Sequence, residues 1–162
     1  MLNKLSSNFD AQIYIQIWEN RIKATNIKTG KVYDEKPLLA ISLNEKGTKL
    51  IEAVGNDALF AENSKIKVIN PFSHERSLIS NFEIGEKLLQ HIIGLLLQQS
   101  IFKLRPRVVI HPMEKLEGGL TIVEERAFKE LAIGAGAREV IVYQGSELAI
   151  HGFNFDNIKS NN

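Results

Sequence analysis

The chain has 162 residues, 44% hydrophobic and 24% charged, proportions that let one domain bury a real core and exclude fibrous and low-complexity classes. Twenty basic residues against nineteen acidic ones leave a formal charge of +1, so the overall field expected of a nucleic-acid binder is absent. With no cysteine there is no disulfide framework or thiolate chemistry, and the histidines at 74, 91, 111 and 151 are too scattered for a zinc site.

The opening MLNKLSSNF is too poor in apolar residues for a secretory signal, and no later run reaches the roughly 18 apolar residues of a membrane span. A short helix there would gather Met1, Leu2, Leu5 and Phe9 opposite Lys4. That is the pattern of an interfacial anchor, beside the plainer reading of a docked or frayed terminus. One lysine attracts anionic lipid weakly, so any such membrane contact is expected to be peripheral and weak.

Ile13, Ile15 and Ile17 alternate with Gln12, Tyr14 and Gln16, which predicts a strand with one face on a core. Asn20 turns the chain into a return strand through Ile22 and Ala24, and the KTGK turn at Gly30 leads to a third strand at Val32 and Tyr33. Beyond Pro37, LLAISL and LIEAVG read as short strands around the polar turn NEKGTK, and Pro71 closes the loop-rich stretch.

Leu88, Leu89, Ile92, Ile93 and Leu96 crowd a helix over 83–99 that must be buried on more than one side. RVVIH at 107–111 is an apolar strand. Thr121 and Glu124 have the spacing of a capping box for the next helix, which Gly134 and Gly136 end. REVIVY at 138–143 is another buried strand, SELAIHG is expected to begin a last short helix, and 153–162 reads as a polar tail. Strands followed by strand–helix alternation imply a mixed sheet with helices packed on it.

Two stretches carry a specific likeness. RPRVVIHP followed by TIVEERAFKELAIGAGAREVIVY resembles the MreB family of actin-like bacterial cell-shape proteins, with LAIGAGAREV the most specific piece. EAVGNDALFAENSKIKVINPF and ISNFEIGEKLLQHII resemble the same family's inserted lobe and core helix. The resemblance covers residues 1–152 and implies an α/β fold: the N-terminal half of an actin-like ATPase, a ribonuclease H-like mixed sheet with helices. Residues 1–35 and 80–152 would form the larger subdomain, and 36–79 a small inserted α+β lobe.

In that family the first turn carries Asp-x-Gly-Thr, whose small residues let backbone N–H groups approach phosphate while the aspartate serves the metal's water shell. The resemblance places Gln16 at the aspartate, Trp18 at the glycine and Glu19 at the threonine, with Asn20 completing a degenerate phosphate turn. Gln16 has no charge, Trp18 obstructs close approach, and Glu19 repels phosphate. After the last parallel strand, Gln144, Gly145 and Ser146 stand where the family has Glu-Glu-Pro, and an amide is no base. Glu147 reads as a first-turn acidic residue of the last helix. The glycines of EGGL, Gly118 and Gly119, lack P-loop spacing and read as a flexible insertion.

These departures imply no catalytic residues, no metal and no cofactor. The expected function is that of a non-catalytic, cytoplasmic protein of the cell-shape cytoskeleton, in contact with the inner membrane face if the N-terminal helix forms. The expected partner is full-length MreB or another cytoskeletal protein, in a homo-oligomer or hetero-complex, with no nucleic acid. Trp18 and Arg21, types enriched at interface hot spots, are the interaction candidates. The alternative is an ATP-dependent actin-like filament protein completed by a second chain.

Overall fold

A computed structural model of the protein describes residues 10–97 and 105–162. The apolar side formed by Met1, Leu2, Leu5 and Phe9 lies outside the described residues.

The first strand, β1 (Gln12–Ile17), turns back into β2 (Ile22–Asn26), which pairs antiparallel with β3 (Val32–Glu35). Three short strands follow: β4 (Leu39–Leu43), β5 (Lys49–Val54) and β6 (Lys67–Ile69). Then come helix α1 (Phe82–Leu96), strand β7 (Arg107–Pro112), helix α2 (Ile122–Gly134), strand β8 (Glu139–Val142) and helix α3 (Phe155–Asn161). The large sheet has the order β3-β2-β1-β7-β8, with β1, β7 and β8 mutually parallel, and the small antiparallel sheet has the order β5-β4-β6.

Each helix starts where the sequence supplies a cap. Asn81 accepts the Ile84 N–H in front of α1, and at α2 Thr121 and Glu124 form the full reciprocal capping box, satisfying N–H groups that have no partner within the helix. Both helices lay their apolar stripes on one face of the large sheet, where Leu88, Leu89, Phe128 and Leu131 meet Ile13, Ile15, Ile17 and Val108. Leu39 and Ile41 of β4, with Phe72 and Leu78 from the segment returning to α1, belong to this same buried cluster. The small sheet is thus anchored in the core of the large one.

The opposite face is also covered. Tyr14, Val109 and Ile141 pack there against Phe155, with Leu148, Phe153 and Ile158 around them. Two expectations fail in this C-terminal segment. SELAIHG begins no helix; the final helix starts nine residues later, at Phe155, where Asn154 accepts the Asn157 N–H. Residues 153–162 are no polar tail, because Phe153, Phe155 and Ile158 are apolar at spacings that place them together on the sheet and bury Phe155 to 1% exposure.

Below the sheet the segment is fastened by charge. Arg107 bridges Asp10 and, at 2.8 Å, Asp156, and its guanidinium lies 4.6 Å from the Phe155 ring centre; Arg138 also reaches Asp10, and Lys159 pairs with Glu139 at 2.5 Å.

Candidate functional site

In an open sheet with parallel strands the functional crevice lies beyond the strands' carboxyl ends. Here that rim is formed by the β1–β2 turn, the β7–α2 loop and the segment after β8. Gln16 on β1 and His111 on β7 are register partners, so the two polar side chains next to the rim stand side by side.

Trp18-Glu19-Asn20-Arg21 is a four-residue hairpin loop: Ile17 pairs with Ile22, and the Trp18 N–H donates to the Arg21 carbonyl at 2.8 Å. Trp18 and Glu19 are half-buried, while Asn20 and Arg21 are exposed. Arg21 lies 5.0 Å over the Trp18 ring and grips Asp34 with two hydrogen bonds of 2.7 and 2.6 Å. That bidentate contact holds the Asp34 carboxyl below the usual carboxylate range.

Glu19 is bound at every polar group it offers. Its N–H donates to Glu114 Oε2 at 2.6 Å, its carbonyl accepts from Asn70 Nδ2 at 2.7 Å, and its carboxylate lies 3.1 Å from Lys115 Nζ. A phosphate oxygen arriving at this turn amide would have to displace the chain's own carboxylate.

Gln16 is 1% exposed, and its Nε2 donates to Glu147 Oε1 at 3.0 Å. Glu147 is therefore no first-turn residue of a helix, as the sequence suggested; it belongs to an irregular segment folded back over the strand ends. Gln144 accepts the Leu120 N–H at 2.8 Å through Oε1. That contact docks the loop of Gly118 and Gly119, both at left-handed φ near 80°, rather than leaving it a flexible insertion. Gly145 at φ 154° presents its carbonyl to His111 Nε2 at 3.1 Å.

A buried relay unforeseen from the sequence runs beneath these contacts. Tyr14, 1% exposed, has its hydroxyl 2.7 Å from His111 Nδ1 and accepts the Leu148 N–H at 3.2 Å. The Gly145 carbonyl can only accept, so Nε2 carries the proton, Nδ1 accepts from Tyr14, and the imidazole is neutral. Burial pushes the Tyr14 phenol up to about 12 and the His111 imidazole down from its ordinary value. The relay holds the segment after β8 onto β1 and β7. The available signal was weak: Tyr14 and His111 both sit at positions that alternation would point away from the helix-covered face.

Among the described residues no group of three or more histidine, cysteine, aspartate or glutamate side chains is placed to hold a metal ion. The site brings together Gln16, Glu19, Gln144 and Gly145, joined by Glu114, Lys115, His111 and Glu147. Trp18 and Arg21 stand at its outer edge.

The family model described as MreB/Mbl protein matches residues 19–161. The cell shape-determining protein MreB of Pasteurella multocida is 38% identical over 119 residues, covering 71% of this chain and 32% of the relative. MreB of Escherichia coli is 32% identical over 148 residues, covering 89% and 41%. The chain thus spans less than half the length of these curated relatives. The crystal structure of MreB5 of Spiroplasma citri bound to ADP superposes with a TM-score of 0.63 over 83% of this chain and 38% of that one, at 24% identity. That likeness shows the fold, the half of an actin-like ATPase with its mixed five-stranded sheet. Matched by the family model over most of its length, the chain belongs to the MreB/Mbl family.

Proposed function

We propose that this chain is a non-catalytic member of its family that works by binding protein partners of the cell-shape cytoskeleton, with full-length MreB as the first candidate partner. The observation that carries this reading is the direct hydrogen bond from the buried Gln16 amide to Glu147. A magnesium ion holding nucleotide phosphates keeps several waters and takes one or two carboxylates, and the family resemblance puts one of those carboxylates at the position of Gln16. An amide at that place donates to the nearest acid and leaves no gap between the two.

Interaction is supported by the outer edge of the same site. Arg21 covers one side of Trp18 and is itself fixed by Asp34, so an aromatic–arginine pair is displayed with little conformational freedom left to lose on binding. Among the described residues no helix is long and apolar enough to cross a membrane, and we place the protein in the cytoplasm with its partner. The alternative, an ATP-dependent filament protein completed by a second chain, requires Glu114 and Glu147 to leave the contacts they make.

Cosedimentation with MreB filaments from the same organism tests the proposal. The chain should pellet with filaments whether or not ATP is present, and Trp18→Ala should weaken binding by about 2 kcal/mol, the scale of an aromatic hot spot. Failure to pellet at any salt concentration would overturn it.

A further inference from the structure

Among the described residues, Lys115 is the one non-glycine residue with φ in the left-handed region, at 58°. Such backbone is unfavourable in a residue with a side chain and persists only where its surroundings enforce it. The surroundings here are specific. Lys115 Nζ lies 3.1 Å from the Glu19 carboxylate and also donates to the His74 carbonyl, with its side chain only 20% exposed. The preceding residue, Glu114, caps the Glu19 amide.

The 73–77 stretch that carries His74 has no regular secondary structure. It is flanked by Asn70, which holds the Glu19 carbonyl, and by Ser80, which donates to the Pro71 carbonyl at 2.8 Å. One hairpin turn is therefore gripped on its N–H, its carbonyl and its carboxylate by residues from two distant segments, and Lys115 joins all three segments at one ammonium.

We infer that Glu114 and Lys115 form an internal strap that ties the 73–77 loop and the β1–β2 turn together across the rim of the strand-end crevice. The strap holds the crevice closed and fixes the turn that displays Trp18. It is a conformational device of this chain's own residues and goes beyond the non-catalytic reading: it would stand even if nucleotide were found to bind elsewhere on the rim. The left-handed backbone at Lys115 is what aims the ammonium inward, since a right-handed residue there would carry its side chain along another direction.

Because the chain has no native cysteine, spin labels can be placed on Glu75→Cys and Lys129→Cys, both exposed positions, and the distance distribution between them read by pulsed electron resonance. The strap predicts one narrow population in the otherwise native chain and in Lys115→Arg, which keeps the charge and the donors. Lys115→Met, matched in length but uncharged, should give a distribution about twofold wider, as for a loop left with few contacts. A thermal melt of each variant separates loop release from general unfolding. Equal widths for Lys115→Met and the native chain, or a broad distribution in the native chain, would overturn the strap.

Discussion

The two ends of the five-stranded sheet are held by different chemistry. At the amino ends of the parallel strands, charges meet charges: Asp10 and Arg107, both largely buried, link the more exposed Arg138 and Asp156, and Arg107 lies over the Phe155 ring. At the carboxyl ends, beside the Glu19–Lys115 ion pair, carboxylates also take neutral donors: Glu147 takes the Gln16 amide and Glu114 takes a backbone N–H. The first arrangement fastens a covering segment and asks nothing of the strands' chemistry. The second stands at the strand-end rim, and its donors are consumed within the chain. The contrast teaches that the fold is retained by its core while the rim is free to change, because core packing depends on apolar shape and the rim on individual polar groups.

The largest effect that can break this comparison is expected at the amino end. Phe155→Ala should lower stability by about 3 kcal/mol, the lower part of the range for a buried phenylalanine, read from urea unfolding. A loss below about 1 kcal/mol would mean that the C-terminal segment is a loose cover.

Restoring the family's residue at the other end should be harmful rather than restorative. Gln16→Asp puts a second carboxylate beside Glu147, where Gln16 now donates across 3.0 Å, and should cost about 1–3 kcal/mol at neutral pH. The penalty should shrink as pH falls and the pair shares a proton. Urea titrations at several pH values check both statements, and a stabilised variant would mean that the rim still accommodates two acids.

A smaller effect follows from His111, whose imidazole is held below its ordinary value by burial. A base with a depressed folded-state pKa binds its proton more weakly folded than unfolded. Stability is therefore full above the unfolded value of about 6.5 and falls as pH drops through it toward the folded value. His111→Gln should flatten that part of the stability profile. Smallest of all, Thr121→Ala should remove the α2 capping box at a cost of about 1 kcal/mol without changing the rim, as a thermal melt would show.

Much of the fold was legible because it rests on local patterns. The Ile13–Ile15–Ile17 alternation, the apolar crowding from Leu88 to Leu96 and the Thr121–Glu124 spacing each encode an element within a few residues. The second buried face of β1 was not legible, since Tyr14 and Gln16 are covered by residues more than a hundred positions away and polar residues at alternate positions ordinarily signal solvent. The C-terminal helix was misplaced because Glu147, Leu148 and Ala149 are good helix formers taken singly, whereas Asn154 supplies the actual cap. At the site, the sequence pointed to Gln16, Trp18, Glu19 and Gln144, but what binds them came only from the structure. Gln16 to Glu147 and Glu19 to Glu114 are contacts between irregular segments, and irregular segments carry no periodic signal.

The most direct test of the central proposal is phosphate release from ATP with magnesium, measured for the chain alone and in the presence of MreB filaments. The account predicts no release above the blank, and none after Gln16→Asp, Trp18→Gly and Glu19→Thr are combined. Sustained turnover by the native chain that is abolished by Glu147→Gln would contradict it, because the rim would then be a working nucleotide site.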